Sequence, residues 1–223
     1  MARTAAHAVA AAHRVPHAVD PGARRQAVRS TSCPGSSCSH GETEWSRSGQ
    51  HTGRSDILLT DRGRLLAKAT GGVGRYLLGD SPFAVWCSPR SRARDTAELA
   101  GLAVDRIDDR LVEWDYGDYE GITTEQIRET VPGWTVWTHP CPHGETADDV
   151  ARRADAVLAD ARAADTDVVL VGHGHFSRVL VSRWLARPAT DGVHFAMDAA
   201  GWAVLGDERG VPRIDGLNYR PLA

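Results

Sequence analysis

The strongest constraint on the fold is a buried strand late in the chain, at Asp167–Gly172, which reads DVVLVG. Consecutive apolar residues without alternation are typical of a strand that is covered on both faces. His175–Ala186 follows with a helical pattern, and strands and helices alternate in the same way through the preceding segments. The pattern predicts an α/β fold in which helices cover a sheet.

Other segments from His40 onward extend this alternation. Phe83–Cys87 is predicted to be a short buried strand, and residues 202–205 and 211–214 a terminal hairpin. Capping residues and apolar spacing predict the helices. Helices are predicted at 61–78, where Thr60 is the cap, and at 91–102. A short helix is predicted after Thr123, with a capping box to Gln126, and a longer one from Thr146 to about residue 163.

The first 39 residues differ in composition from the rest of the chain. They contain no Leu, Ile, Phe, Trp or Tyr, and five arginines stand against one aspartate. Such a segment buries too little apolar surface to offset the entropy that is lost on ordering. We expect residues 1–38 to be disordered or aberrant and residues 39–223 to form one domain. A mitochondrial-type presequence is an alternative interpretation of the leading residues.

Composition excludes several classes of function. The net charge of −3 over 223 residues disfavours a nucleic-acid partner, and no apolar run approaches the roughly 18 residues of a membrane span. The four cysteines form no disulfide framework, so a cytoplasmic setting is expected. Cys/His clusters at 33–40 and 139–143 lack the second half of a zinc site, so neither a metal nor another cofactor is predicted. A monomer or homodimer is expected.

Two histidines, an arginine and a carboxylate are candidates for phosphate chemistry. An imidazole such as that of His40 can attack phosphorus and pass the phosphoryl group to water. The planar fork of Arg92 suits phosphate oxygens, and a cationic His173 can donate to them. A glutamate with a raised pKa, such as Glu113, can protonate the leaving alkoxide. From the residues alone, Asp115, Asp118 and Glu120 compete with Glu113 for this role.

Four dispersed motifs resemble those of the histidine phosphatase superfamily, also called the phosphoglycerate mutase-like fold. They are His40-Gly41 with the loop to Gly53, residues 88–97, residues 113–121 and residues 171–174. The run at 113–121 is similar to the branch of sedoheptulose-bisphosphatase-like and bacterial acid phosphatases. The resemblance implies a three-layer sandwich with a mostly parallel central sheet flanked by helices. It also implies hydrolysis of a small phosphorylated metabolite, in particular a sugar phosphate, without a metal.

The resemblance also implies roles for particular residues. It makes His40 the nucleophile, Glu113 the acid, and Arg92 and His173 the phosphate-holding groups. Contacts with the substrate are implied for Ser46, Thr52, Gly53, Tyr116, Glu145 and Gly174. His175 either contacts the substrate or lies behind the residues that do.

Ser39 departs from the family pattern, because an arginine is expected directly before the nucleophile. The residues before it include Pro34 and Gly35, which are poorly suited to a central strand, so a degraded first strand is expected. One hypothesis is that the coding sequence is read in the wrong frame before about residue 39. The functional alternatives are a weakly active or inactive relative that only binds phosphorylated ligands, and a phosphoglycerate-type mutase. The short segment after Glu113 disfavours the mutase.

Overall fold

A six-stranded mixed sheet forms the centre of the computed structural model, which describes residues 35–221. The strands are β1 (Gly35–Ser39), β2 (Phe83–Cys87), β3 (Arg106–Ile107), β4 (Asp167–Gly172), β5 (Trp202–Glu208) and β6 (Val211–Tyr219). Their spatial order is β3-β2-β4-β1-β5-β6. β1 to β4 run parallel, and β5 and β6 form an antiparallel hairpin beside β1.

Helices cover both faces of this sheet, which confirms the predicted three-layer α/β fold. The helices are α1 (Glu44–Ser48), α2 (Asp61–Leu78), α3 (Ser91–Leu99), α4 (Thr124–Thr130), α5 (Ala147–Arg162) and α6 (Gly174–Trp184). One apolar cluster packs α2 and α3 against the sheet, and another packs α5 and α6 against the opposite face. Within residues 35–221, none of the helices has the length and apolar character that a membrane crossing requires.

The predicted caps define the starts of three helices. The hydroxyl of Thr60 accepts a hydrogen bond from the backbone N–H of Gly63 at 2.9 Å, at the start of α2. Thr123 and Thr146 each form a capping box at the starts of α4 and α5. Helix α3 ends before the predicted residue 102, because Gly101 takes up the left-handed region with φ +73° and turns the chain away.

Strand β1 corrects the expectation that the serine-rich segment before His40 is unsuited to the sheet. Gly35–Ser39 pairs with β4 on one side and β5 on the other, and all five residues are buried. Hydrogen bonding on both edges satisfies the backbone, and the small side chains fit between the helical layers. Ser37, for example, donates from Oγ to Ser177 Oγ of α6 at 2.9 Å. The remaining part of the predicted aberrant segment lies outside the described residues.

Candidate active site

The candidate site lies where the parallel strands β1, β4 and β2 end side by side. His40 follows β1, Ser88 follows β2 and His173 follows β4. Open α/β sheets bind ligands outside the carboxyl ends of their strands. The backbone N–H of His40 donates to the carbonyl oxygen of Gly172 at 3.0 Å, so the sheet itself fixes the spacing of the two histidines.

The structure brings together the four side chains for which catalytic roles are predicted. The imidazole centroids of His40 and His173 are 5.1 Å apart, and the ring planes are inclined at 67°. Arg92 donates from Nε to Nδ1 of His173 at 3.2 Å. Glu113 lines the same cavity as His40. All four side chains are buried, so they form one cluster at the carboxyl edge of the sheet.

His40 is held as a neutral imidazole with a defined tautomer. Its Nδ1 lies 2.6 Å from the carbonyl oxygen of Gly41, which can only accept, so Nδ1 carries the proton and Nε2 carries the free lone pair. Burial, reinforced by the charge of Arg92, lowers the pKa of His40 to about 3. The backbone N–H of Gly41 in turn donates to Thr96 Oγ1 at 2.9 Å, which fixes the turn that carries the histidine.

His173 is also neutral, which corrects the expectation of a cationic imidazole. Its Nδ1 accepts the hydrogen bond from Arg92, so the ring proton resides on Nε2, 2.8 Å from the hydroxyl of Ser88. Burial and the neighbouring charge of Arg92 lower the pKa of His173 well below its usual range. The sequence could not predict the charge of this imidazole. The charge depends on the N–H group of Arg92 that points at Nδ1, because a ring nitrogen that accepts a hydrogen bond carries no proton.

Arg92 is fully buried and its guanidinium binds the loop that follows α1. Nη1 donates to the carbonyl oxygen of Ser55 at 2.8 Å, and Nη2 donates to that of Thr52 at 3.1 Å. Each of these nitrogens carries a second N–H. Arg92 therefore lies beside the histidines as predicted, but it anchors the loop and does not line the cavity.

The carboxyl group of Glu113 lies at the N-terminus of α6. It accepts backbone hydrogen bonds from Trp114 at 2.8 Å, from His175 at 2.9 Å and from Phe176 at 2.8 Å. Burial raises the pKa of the Glu113 carboxyl, and the three N–H donors and Arg92 oppose that rise. The result is a carboxyl group in a fixed orientation whose pKa lies above that of an ordinary glutamate.

The competing acidic residues of the same segment have other partners. Asp115 accepts from Nε of Arg54 at 2.7 Å, and Asp118 lies 2.9 Å from Nδ1 of His143. Glu120 accepts from the backbone N–H groups of the loop after α1. Glu113 alone among these four carboxylates lines the cavity, which favours it as the acid.

A cavity of about 440 Å³ opens beside His40. It is far larger than a phosphate ion and falls within the range of small-molecule sites. Four of the six predicted substrate contacts line it, and Gly53 and Glu145 do not. The lining members are Ser46, Thr52, Tyr116 and Gly174.

Glu145 and Gly53 have structural contacts in place of the predicted contacts with substrate. Both carboxylate oxygens of Glu145 accept from Arg153, at 2.7 and 2.8 Å. Gly53 donates its N–H to Glu120, and a Cβ at this position would lie 2.5 Å from the carbonyl oxygen of Trp114. A side chain would not fit there, so the glycine is explained by the close approach of two backbones.

The cavity wall also contains residues that were not predicted from the sequence or were left undecided, among them His175, His51 and Arg178. The hydroxyl of Tyr116 is hydrogen-bonded to Nδ1 of His175 at 2.6 Å, and both residues line the cavity. The ring of His51 packs against that of Tyr116, with centroids 4.6 Å apart. Arg178 follows Gly174 by four residues in α6, and this helical spacing was the available signal. No local pattern marks His51.

The cavity has no surplus of positive charge. Its arginines are Arg47 and Arg178, and its carboxyl groups belong to Glu42, Glu113 and Asp198. Ser39 lines the wall beside His40 and adds no charge. In the part of the chain that the structure describes, no three His, Cys, Asp or Glu side chains are grouped as metal ligands would be.

Comparison with known proteins relates this site to a family of enzymes. The family model described as "Histidine phosphatase superfamily (branch 1)" matches residues 38–220. An acid phosphatase of Mycobacterium tuberculosis is 48% identical over 177 residues, which are 78% of this chain and 87% of the relative. A sedoheptulose 1,7-bisphosphatase of Saccharomyces cerevisiae is 32% identical over 175 residues, 65% of each chain.

A solved structure supports the same relationship. The structure of an open reading frame from Mycobacterium tuberculosis superposes with a TM-score of 0.81 at 45% sequence identity. The match covers 83% of this chain and 97% of that structure. The similarity therefore extends over the sheet, both helical layers and the loops that carry the clustered side chains.

Proposed function

The chain belongs to the histidine phosphatase superfamily (branch 1), and on this basis we propose that it hydrolyses a phosphomonoester through a phosphohistidine at His40. The observation that carries the proposal is the tautomer of this residue. Because Nδ1–H is committed to the carbonyl oxygen of Gly41, Nε2 holds the lone pair that an attack on phosphorus requires.

The reaction proceeds in two balanced steps. In the first, the lone pair of His40 Nε2 forms a bond to phosphorus while the bond to the leaving oxygen breaks, and Glu113 gives its proton to that oxygen. In the second, water attacks phosphorus, the phosphorus–nitrogen bond breaks, and the carboxylate of Glu113 takes a proton from the water. Glu113 thus returns to its protonated form for the next cycle.

Arg92 and His173 hold the phosphoryl oxygens in this proposal. His173 does so as a neutral donor that turns its Nε2–H from the hydroxyl of Ser88 to a phosphoryl oxygen. Arg92 does so by exchanging loop carbonyl oxygens for phosphoryl oxygens. Neutral imidazoles and a cavity without surplus positive charge give weak stabilisation of a phosphate dianion. We therefore propose that Ser39, in place of an arginine, limits the rate of hydrolysis.

The pH dependence of hydrolysis tests the proposed function. An alkyl phosphate such as glycerol phosphate, assayed with a metal chelator present, should be hydrolysed fastest at acid pH. Glu113 is an acid only while protonated, so activity is present below its raised pKa and is lost as pH rises through it. His40 attacks only when neutral, so activity should fall on acidification only as pH approaches about 3. A flat profile for kcat/KM contradicts these roles.

A phosphate-binding protein without turnover is the second candidate. The replacement of the family arginine by Ser39 and the burial of Arg92 favour it. In that case titration calorimetry should detect binding of inorganic phosphate, and no hydrolysis should occur at any pH. Detectable hydrolysis that depends on His40 excludes this second candidate.

A sugar phosphate is the proposed substrate class. The cavity is larger than a phosphoryl group requires, and its lining includes the rings of His51 and His175 and the hydroxyl of Thr124. The yeast relative is named for a sugar bisphosphate. In a substrate panel, sugar phosphates should give a higher kcat/KM than nucleotides or phosphoserine.

A further inference from the structure

We propose that Arg153 of α5, acting through Glu145, is a positioning residue that holds the general acid Glu113 in place. The proposal rests on the function proposed above, because it concerns the delivery of a proton to the leaving group. Neither Arg153 nor Glu145 lines the cavity, so their influence on the reaction must pass through the residues that they hold.

The guanidinium of Arg153 binds the chain just before the acid. Nη1 donates to the carbonyl oxygen of Arg110 at 2.7 Å and to that of Val112 at 3.1 Å. Nη2 lies 3.4 Å from the carbonyl oxygen of Glu113 itself. A single planar group therefore restrains three carbonyl groups of the backbone between Arg110 and Glu113.

Glu145 restrains the chain just after the acid. Its Oε2 accepts from Nη2 of Arg153 at 2.8 Å and from the backbone N–H of Asp115 at 3.0 Å. The backbone of Glu145 adds two bonds, one to the carbonyl oxygen of Asp115 and one from Nε1 of Trp114, both at 2.9 Å. The Arg153–Glu145 pair thus holds both flanks of Glu113.

The same guanidinium also reaches the third side of the acid. Its carbon lies 4.8 Å from the ring centroid of Phe176, and the backbone N–H of Phe176 is one of the three donors to the Glu113 carboxylate. Arg153 therefore connects the segment that carries the acid with the end of α6 that orients it. A bidentate arginine pair with only about a fifth of each side chain exposed suits such a role.

Leaving-group dependence distinguishes positioning of the acid from general support of the fold. Departure of an alkoxide requires the proton, whereas departure of p-nitrophenolate requires it much less. In Arg153→Met, kcat/KM for glycerol phosphate should fall at least about tenfold further than kcat/KM for p-nitrophenyl phosphate. Arg152→Met is the matched control, because Arg152 is the neighbouring, exposed arginine of the same helix and should leave both substrates unchanged. Equal losses on both substrates, or none, overturn the proposal.

A titration of Glu113 decides the proposal without any turnover. In wild type, carbon NMR of the labelled carboxyl group reports its pKa while the three N–H donors are in place. Loosening the segment in Arg153→Met should weaken those bonds and raise this pKa, and an unchanged titration overturns the proposal. Absence of hydrolysis in wild type would instead count against the proposed function. If Arg153→Met does not fold, Glu145→Gln, which keeps an acceptor for Asp115, should shift both measurements in the same direction.

Discussion

Replacing Ser39 by arginine should raise kcat/KM for a phosphomonoester by about 30- to several-thousand-fold. Ser39 ends β1, lines the cavity beside His40 and is 3% exposed. A guanidinium fork at this position would supply two parallel hydrogen bonds and a full charge to the phosphoryl oxygens. Such a contact is worth about 2–5 kcal/mol, which corresponds to the stated increase in rate.

The control for this variant is Ser39→Gln, which adds a polar side chain without the charge. It should leave the rate within a few-fold of wild type, and thermal melts of both variants should show that the sheet persists. A Ser39→Arg protein that is folded but no faster than Ser39→Gln contradicts the assignment of the missing charge to this position.

Replacing His40 by alanine should abolish hydrolysis, with a loss on the order of 10⁴-fold or more. The imidazole is the only group on which the phosphoryl intermediate forms in the proposed mechanism. Rapid quench of wild type in alkaline detergent, after mixing with a radiolabelled phosphomonoester, should leave label on the protein in an alkali-stable, acid-labile form typical of phosphohistidine. His40→Ala should carry no such label.

A histidine away from the cavity provides the control for the labelling experiment. His194 is exposed in the turn after α6 and does not line the cavity, so His194→Ala should retain both hydrolysis and label. Label that persists in His40→Ala would place the phosphoryl group elsewhere and contradict the role of Nε2.

Local sequence signals account for the elements that were predicted well. β4 and β2 are apolar runs, and α2, α4 and α5 begin at threonines whose hydroxyls cap the first turn. These signals act between near neighbours in the chain, so they can be read without a structure. The order of the motifs was likewise sufficient to predict that His40 and His173 lie close together.

Other features depend on contacts between distant residues. β1 has no strand signal of its own and forms because β4 and β5 pair with both of its edges. The neutral state of His173 depends on the approach of Nε of Arg92, and the structural role of Glu145 depends on Arg153 in α5. Each of these follows from packing, which a motif does not specify.

The serine-rich strand β1 has a consequence for the gene. Suppose that its serines are encoded by TCN codons, and that translation starts at the third base of the Gly35 codon. The codons up to Ser39 then become NTC, NTC, NTG and YTC, where N is any base and Y a pyrimidine. Every such codon specifies leucine, isoleucine, valine, phenylalanine or methionine, the residues that are typical of a strand covered on both faces. Loss of two nucleotides from an arginine codon directly before His40 would produce both this shift and Ser39. Resequencing the locus should recover the two missing nucleotides. If the nucleotide sequence is confirmed as it stands and the shifted frame encodes no apolar run, the frameshift hypothesis is excluded. One small deletion would then explain both the polar strand and the absent guanidinium.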